Sequence, residues 1–295
     1  KISNLLVRNK CHLKFSLVVD SKYNNLNMYE KDNKYTLSNK SIEYEIYEKL
    51  ITKFEEITRR GWIKGVTEDE SSVGLTFENE LGKEFDSMYF PDYYGTEIKC
   101  TTRYSGYPIS LFSLSFDGKY LYQMNLLLQK YGISDHEYPD KKRLIGRLIP
   151  FKKIKINDFY FKLAPEFEED RLYLKVYDEN ERFLESDAYI NFSTIIERVK
   201  LKLNTLAVVY ASKRIINTEQ YFRYYKIIIY KLKTPEIFLD LIARNKITVS
   251  IIGRVSRSGT KEGRQRNKNL TFSLPKENIE LLFDKIFELD VDNKS

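Results

Sequence analysis

Two carboxylates and an amine lie close together in the chain, at Asp92, Glu97 and Lys99. Tyr94-Gly95 indicates a turn, and residues 96–102 (Thr-Glu-Ile-Lys-Cys-Thr-Thr) have the β-branched and apolar composition of a strand. Because side chains alternate along a strand, Glu97 and Lys99 share one face, and Asp92 can reach that face across the turn. Two carboxylates suit Mg²⁺, which binds few protein ligands and completes its coordination with water and phosphate oxygens. A lysine beside them can orient or deprotonate an attacking water, so the spacing fits phosphodiester hydrolysis; taken alone, it also fits a solvated hairpin with a salt bridge.

The segment 71–82 (Ser-Ser-Val-Gly-Leu-Thr-Phe-Glu-Asn-Glu-Leu-Gly) predicts a short helix just before this unit. Ser71 or Ser72 can cap its start, and Gly82 can end it. Glu78 lies beside the apolar stripe, near the boundary of the core. The stripe itself has helical spacing and consists of Val73, Phe77 and Leu81.

The run Ser-Val-Gly-x-x-Phe-Glu-x-x-Leu-Gly, followed by Pro-Asp and then Glu-x-Lys, resembles the MutH-like family of PD-(D/E)XK endonucleases. That family includes the mismatch-repair nickase MutH and related type II restriction enzymes that cut at GATC. Its members carry Val-Gly-x-x-[Leu/Phe]-Glu on a helix, then an Asp and a Glu-[Leu/Ile]-Lys on adjoining strands. The gap between Asp92 and Glu97 is shorter here than in the mismatch-repair members, and a tighter hairpin accommodates the difference.

The resemblance implies a role for each of these residues. Asp92 and Glu97 would ligate Mg²⁺, Lys99 would assist the attacking water, and Glu78 would be an auxiliary acidic residue. A further family lysine near the scissile phosphate corresponds to Lys202, with Lys200 as the competing choice; Lys202 equally fits a surface lysine favoured by a helix dipole. The implied fold is α/β, a restriction-endonuclease-like core with a central mixed β-sheet flanked by helices and two lobes that form a DNA-binding cleft. The implied products carry 5′-phosphate and 3′-hydroxyl ends.

Positive charge is concentrated near the C-terminus: residues 244–268 hold eight basic side chains and one acidic, an excess equal to the net +7 of the chain. Residues 253–269 predict a flexible loop that enters the major groove, because its arginines suit phosphates and guanine edges; a solvated hairpin tip is the alternative. The resemblance extends here, since Arg254 matches the Arg of a family Arg-Pro-Lys triplet. Val255 and Ser256 replace the Pro-Lys, so GATC is kept only as a guess. The predicted DNA contacts are Arg254, Arg257, Lys261, Arg264, Arg266, Lys268, Phe272 and Lys276.

The composition argues against several other classes of protein. No stretch approaches the roughly eighteen apolar residues of a membrane span. The only cysteines are Cys11 and Cys100, so neither a disulfide framework nor a zinc pattern is expected, and a reducing cytoplasm is the expected location. His12 and His136 lie near no second metal ligand. The chain has no Gly-rich phosphate loop before a helix and no Gly-x-Ser-x-Gly elbow, which argues against ATPases, nucleotide-binding dehydrogenases and triad hydrolases.

Hydrophobic periodicity predicts an alternation of helices and strands around one mixed sheet. Residues 1–40 have no assigned role, and residues 41–295 form the endonuclease domain, with a catalytic lobe at about 41–200 and a recognition lobe at about 201–295. Helices are predicted at 42–57 (after Ser41), 71–82, 123–131, 193–203, 235–244 and 276–289. Strands are predicted at 15–19, 96–102, 109–116, 144–149, 159–163, 172–176, 205–210, 221–232, 247–252 and 270–274.

The sequence therefore predicts a magnesium-dependent, sequence-specific endonuclease of the type II restriction class. It would act on double-stranded DNA as a monomer or homodimer, with no membrane partner. Two alternatives stay open. One is a mismatch-repair nickase that cuts one strand and answers to a MutL-type partner, and the other is a DNA-binding module with an inactive nuclease centre.

Overall fold

A computed structural model of the chain describes residues 47–82, 91–102, 105–120, 122–257 and 262–292. The chain divides into the units Lys1–Tyr47 and Glu48–Ser295, and the second contains every element named below except the first residue of α1. The predicted strand at 15–19, the segment 1–40 and Lys261 lie outside the described residues. Among the described helices, none combines the length and the apolarity that crossing a bilayer would require.

Six α-helices, fourteen strands and two short 3-10 helices (Phe167–Glu169 and Lys276–Asn278) make up the regular structure of the described part of the chain. The helices are α1 (47–59), α2 (Ser72–Glu80), α3 (Gln123–Tyr131), α4 (Phe192–Leu203), α5 (Ile237–Ala243) and α6 (Ile279–Leu282). The strands are β1 (Ile63–Lys64), β2 (Thr96–Thr102), β3 (Ile109–Leu114), β4 (Ile133–Ser134), β5 (Lys142–Leu148), β6 (Lys153–Ile156), β7 (Phe159–Glu166), β8 (Arg171–Tyr177), β9 (Phe183–Asn191), β10 (Thr205–Ile216), β11 (Glu219–Leu232), β12 (Thr248–Val255), β13 (Gln265–Leu274) and β14 (Phe283–Asp290).

The sheet that carries the predicted catalytic strand is mixed. Its order is β1-β11-β10-β2, with β14 also paired to β11, and β2 runs parallel to β10 while the other pairs are antiparallel. Residues 206–209 of β10 (Leu-Ala-Val-Val) are fully buried, as expected for an interior strand covered on both faces. Helices α2 and α4 both contact β2. The predicted α/β fold with a central mixed sheet flanked by helices is confirmed.

Two further sheets, not foreseen in the sequence, are antiparallel. One has the order β3-β13-β12-β5-β4, which we call the hairpin sheet because β12 and β13 form its central hairpin, and the other has the order β6-β7-β8-β9. One hydrophobic core spans both sheets and the helices against them. In that core, the ring of Phe272 contacts those of Phe112 and Phe238 at centroid distances of 5.2 and 5.8 Å.

Most predicted elements are present, and the clearest errors lie near the C-terminus. The predictions for α3 and β2 match the observed bounds, and α2 lies within its predicted range. The predicted helix at 276–289 is wrong, because only Ile279–Leu282 is α-helical and Phe283–Asp290 is strand β14. The loop predicted at 253–269 is shorter than expected, because β12 continues to Val255 and β13 begins at Gln265.

The expected lobe boundary near residue 200 does not coincide with the sheets. Strand β10, which follows that boundary, pairs with β2 in the mixed sheet. Strands β3 and β5, which precede it, belong to the hairpin sheet with β12 and β13. Each of these two sheets therefore contains strands from before and from after residue 200.

Candidate active site and nucleic-acid interface

A tight turn brings Asp92 onto strand β2. The backbones of Tyr93 and Thr96 exchange both hydrogen bonds, at 2.9 and 2.8 Å, around Tyr94 and Gly95. These two residues have φ angles of +43° and +85°, a left-handed pair typical of two-residue hairpins and one in which glycine is favoured. The backbone N–H of Ile98 donates to Asp92 Oδ2 at 2.9 Å, which fixes this carboxylate beside Glu97.

Glu97 is the centre of the predicted site, and its side chain is 0% exposed. Lys99 Nζ donates to Glu97 Oε1 at 2.5 Å, so the two side chains share one face of β2 as predicted. Ile98 points the other way and is buried. The structure thus brings together Asp92, Glu97 and Lys99.

The charges around Lys99 set its protonation. Burial by itself lowers the pKa of Lys99, but the carboxylates of Glu97, Asp92 and Glu78 outweigh burial and raise this pKa above its usual value. In the arrangement described here, Lys99 is therefore an ammonium group that donates hydrogen bonds.

Glu78 lies on α2 at the edge of the same site. Its helix contacts β2, and Val73, Phe77 and Leu81 of the predicted stripe are all buried, with the Phe77 ring against Phe54 of α1 and Tyr224 of β11. The carboxylate is partly buried and acts electrostatically on both Lys99 and Cys100. Burial raises the pKa of the Cys100 thiol well above its usual value, and Glu78 adds to the shift, so Cys100 is a neutral thiol here.

The structure distinguishes the two candidate lysines on α4. Lys202 Nζ lies 3.3 Å from Glu97 Oε2, and its side chain is only 14% exposed. Lys200 is 59% exposed and reaches only Glu236, at 3.9 Å. Lys202 lies in the last turn of α4, within the helix predicted at 193–203, and α4 packs on β2 so that this turn faces Glu97. A solvated surface position for Lys202 is therefore excluded.

The donor set fits Mg²⁺ in its chemistry. Within the described ranges, no group of three or more His, Cys, Asp or Glu side chains could hold a metal ion. Asp92 and Glu97 supply two carboxylates on adjacent backbone, and Mg²⁺ usually takes one or two carboxylates with water and substrate phosphates completing its shell. A softer or more demanding ion such as structural Zn²⁺ would require a fuller set of protein ligands.

A patch of positive charge covers one face of the hairpin sheet; we call it the basic face. Arg254 and Arg266 are directly paired across β12 and β13, and both are exposed. Burial lowers the pKa of nearby Lys268, and the charges of Arg266 and Arg254 lower it further. Two arginines that sequence reasoning missed, Arg143 and Arg147, lie on the same face. Arg147 pairs with Ser250, which is four positions before Arg254 on β12 and therefore shares its face. Arg143 is four positions before Arg147 on β5, and both are exposed. Their only signal in the sequence is the strand alternation Arg-Leu-Ile-Gly-Arg.

The five basic side chains of this face form no ion pair with any described residue: Arg143, Arg147, Arg254, Arg266 and Lys268. Like charges placed directly opposite each other in a sheet are destabilising. Arg254 and Arg266 form such a pair.

Other predicted DNA contacts have different roles in the structure. Phe272 is 0% exposed and packs in the core, so its prediction as a DNA contact is wrong. Arg257 Nη2 binds both carboxylate oxygens of Asp135, at 2.6 and 2.7 Å, and therefore braces the hairpin tip. Lys276 Nζ donates to the carbonyl of Ser105 at 2.6 Å, and burial lowers its pKa. Arg264 is exposed, and its DNA contact stays a prediction.

Comparison with known proteins gives a consistent result. The model of the MvaI/BcnI restriction endonuclease family matches residues 51–283. A solved restriction endonuclease MvaI–cognate DNA substrate complex superposes with a TM-score of 0.74 at 23% identity, covering 81% of this chain and 97% of that one. Restriction endonuclease MvaI in the absence of DNA gives a TM-score of 0.50 at 22% identity, covering 83% and 98%. No curated protein sequence matches the chain. The matches support the predicted class of enzyme but not the MutH-like, GATC-specific family that the motif resembles.

Proposed function

This chain belongs to the MvaI/BcnI restriction endonuclease family and is a type II site-specific deoxyribonuclease, and we propose that Asp92 and Glu97 hold the Mg²⁺ ion on which its cleavage of DNA depends. The observation that carries the proposal is the convergence of both carboxylates with Lys99 and Lys202. Buried Glu97 between two lysines is a costly arrangement for stability alone, because buried charge loses hydration. Such groupings are typical of functional sites.

The residues of this chain would act mainly through charge and position. A bound Mg²⁺ ion supplies Lewis-acid stabilisation of the negative charge that develops on the phosphate. Lys99 and Lys202 place two ammonium groups beside that charge, where Lys99 can also orient the attacking water through its N–H donors. The attacking water would bond to phosphorus and lose a proton to the surrounding water, while the bond from phosphorus to the 3′ oxygen breaks and that oxygen takes up a proton from the surrounding water. The products would carry 5′-phosphate and 3′-hydroxyl ends.

The basic face is the proposed contact with duplex DNA. Arginine and lysine side chains bind phosphates, and arginine forks also recognise guanine edges in the major groove. Arg254, Arg264, Arg266 and Lys268 are the predicted contacts that the structure leaves available for this role. Arg143 and Arg147 extend the same surface along β5. We propose that the enzyme binds DNA through this surface as a monomer or homodimer.

The target sequence is open. A GATC-like site was suggested only by the MutH-like resemblance, and the matched family does not support that resemblance. The test therefore covers any target. It consists of digesting a sequenced plasmid with Mg²⁺ and mapping the fragment ends.

We expect linear fragments that share one sequence at their ends, and their absence with Asp92→Ala, Glu97→Ala and Lys99→Ala. Glu48→Ala, at an exposed acidic residue of α1, is the matched control and should cut normally. Nicked circles alone would favour the single-strand nickase. Binding without cleavage with either Mg²⁺ or Mn²⁺ would favour the inactive DNA-binding module, and unchanged cutting by the three variants would contradict the assigned site.

A further inference from the structure

A pocket walled by side-chain amides lies where α3 meets the hairpin β12–β13. Its volume is about 290 Å³, at the small end of the range for ligand pockets. Among the described residues, no charged side chain lines it. The side chains in its wall that can form hydrogen bonds are those of Ser115, Tyr122, Gln123, Asn125, Asn267 and Asn269.

A close approach of α3 to the hairpin forms one side of this pocket. A Cβ atom at Gly253 would lie 2.5 Å from Met124 Cε and 3.0 Å from the Leu128 methyl groups, so a larger residue there would require these side chains to move. Gly253 pairs with Asn267 on β13. The helix therefore presents Asn125 to Asn267, whose Nδ2 donates to Asn125 Oδ1 at 2.5 Å.

A β-bulge connects the pocket to the basic face. The register shifts between Ile252 and Gly253, whose partners are Asn269 and Asn267, so Lys268 is an extra residue in β13. Asn269 has a φ of +56°, a left-handed conformation that asparagine tolerates. Because Ile252 and Gly253 face opposite sides of β12, the bulge places Asn269 on the side of Arg254 and Asn267 on the side of α3. Both nonetheless line the pocket, which lies at the edge of the basic face.

Several hydrogen-bonding groups in the pocket have no protein partner among the described residues. Gln123 is only 4% exposed, and its Oε1 accepts no hydrogen bond there. Asn125 Nδ2 and Asn269 Oδ1 are likewise without a partner in the part of the chain that the structure describes. The pocket offers both donors and acceptors, with the exposed ring of Tyr122 at its rim.

We propose that this amide pocket binds the edge of one nucleobase in the target DNA and so takes part in choosing the cleavage sequence, an inference that rests on the proposed function. Side-chain amides match the adjacent donor and acceptor of a base edge, as Asn and Gln do with adenine. A phosphate group would instead be drawn to the five basic side chains nearby. The pocket thus supplies base contacts, while the basic face supplies backbone contacts.

The test measures base preference directly and does not require cleavage. In a buffer that contains Ca²⁺, the full-length protein is mixed with a pool of duplexes that carry randomised base pairs. The duplexes bound by the wild type and by each variant are then sequenced. Asn269→Gly removes one amide and keeps the left-handed backbone, and Asn125→Ala removes a second amide at an exposed helical position. Gln129→Ala, an exposed amide on the same helix outside the pocket, is the matched control.

Wild type and Gln129→Ala should select the same site. Both pocket variants should lose preference at one shared base pair by roughly 5- to 150-fold, the discrimination typical of a good side-chain contact to a base, and keep it at the other positions. An unchanged preference, or an equal loss at every position, overturns the proposal. Selection of no sequence by the wild type overturns it too, whereas absence of cleavage with intact selection overturns only the proposed nuclease centre.

Discussion

Glu97 is flanked by two lysines that reach it from different elements. Lys99 lies on the same strand as Glu97, and Lys202 lies on α4, 105 positions after Glu97 in the chain. We predict that Lys202→Ala slows cleavage by roughly 100- to 1,000-fold, the usual effect of removing one group that stabilises transition-state charge. Single-turnover cleavage of a plasmid under saturating enzyme measures this rate.

Lys200→Ala is the matched control for that experiment, because Lys200 lies in the same last turn of α4 and its side chain is largely exposed to solvent. It should cut at the wild-type rate. If Lys202→Ala also cuts at that rate, Lys202 only neutralises Glu97 in the folded protein and has no part in the reaction.

Phe272 shows how a sequence pattern can identify a residue and mistake its role. It was expected at the DNA because it matches the aromatic residue of a run that follows the DNA-reading loop in the MutH-like family, but alternation along β13 turns Phe272, Leu270 and Leu274 into the core. We predict that Phe272→Ala lowers the free energy of unfolding by about 3–5 kcal/mol through the cavity it leaves. Urea denaturation measures this change, and Phe183→Ala at an exposed phenylalanine should have a much smaller effect. Weaker DNA binding at unchanged stability would contradict the core assignment.

At the scale of the element, the hairpin β12–β13 places like charges where they repel. Arg254 and Arg266 face each other in register, so replacing one relieves repulsion within the protein. We predict that Arg266→Ala weakens DNA binding without lowering the melting temperature. The slope of log affinity against log salt should fall by about 1, as for the loss of one phosphate contact.

Arg244→Ala provides the comparison for that measurement, because Arg244 is paired with Asp240 outside the hairpin. It should leave the salt slope unchanged. A melting temperature that falls with Arg266→Ala would show that this arginine stabilises the hairpin, and its assignment to DNA would lose its support.

The tip of the same hairpin is braced by a buried carboxylate. Hydrogen bonds from Arg257 are the main cause that lowers the pKa of Asp135 below its ordinary 3.8, and backbone N–H groups of Glu137 and Tyr138 add to it. A lowered folded-state pKa means that Asp135 contributes stability above pH 3.8 and loses it as the pH falls through the lower value. We predict that Asp135→Asn lowers the melting temperature at neutral pH and that the difference from wild type shrinks below pH 3.8. A difference that stays constant into acid would contradict the ion pair.

For the molecule as a whole, local signals were predictable and long-range pairing was not. Asp92, Glu97 and Lys99 could be grouped from the sequence because one turn and one strand position all three. The contact of Lys202 with Glu97 depends on how α4 packs, which spacing alone does not encode. The helix predicted at the C-terminus was wrong for a physical reason. Its apolar residues Ile279, Leu282, Phe283 and Ile286 have helical spacing, but the segment from Phe283 pairs as a strand with the available edge of β11.

That pairing makes the catalytic sheet depend on the C-terminal segment, and it leads to a last prediction. Strand β14 covers β11 from Lys226 to Leu232, and Arg223 holds Asp292 through two contacts of 2.8 Å. Deleting residues 283–295 would expose that edge and the buried Phe283 site, in the sheet that also carries Glu97. We predict loss of cooperative thermal unfolding and of DNA cleavage, although the deletion lies far from Asp92 in sequence. Deleting only 293–295 should change neither, and a 283–295 deletion that still folds and cuts DNA would show that β14 is dispensable to the catalytic sheet.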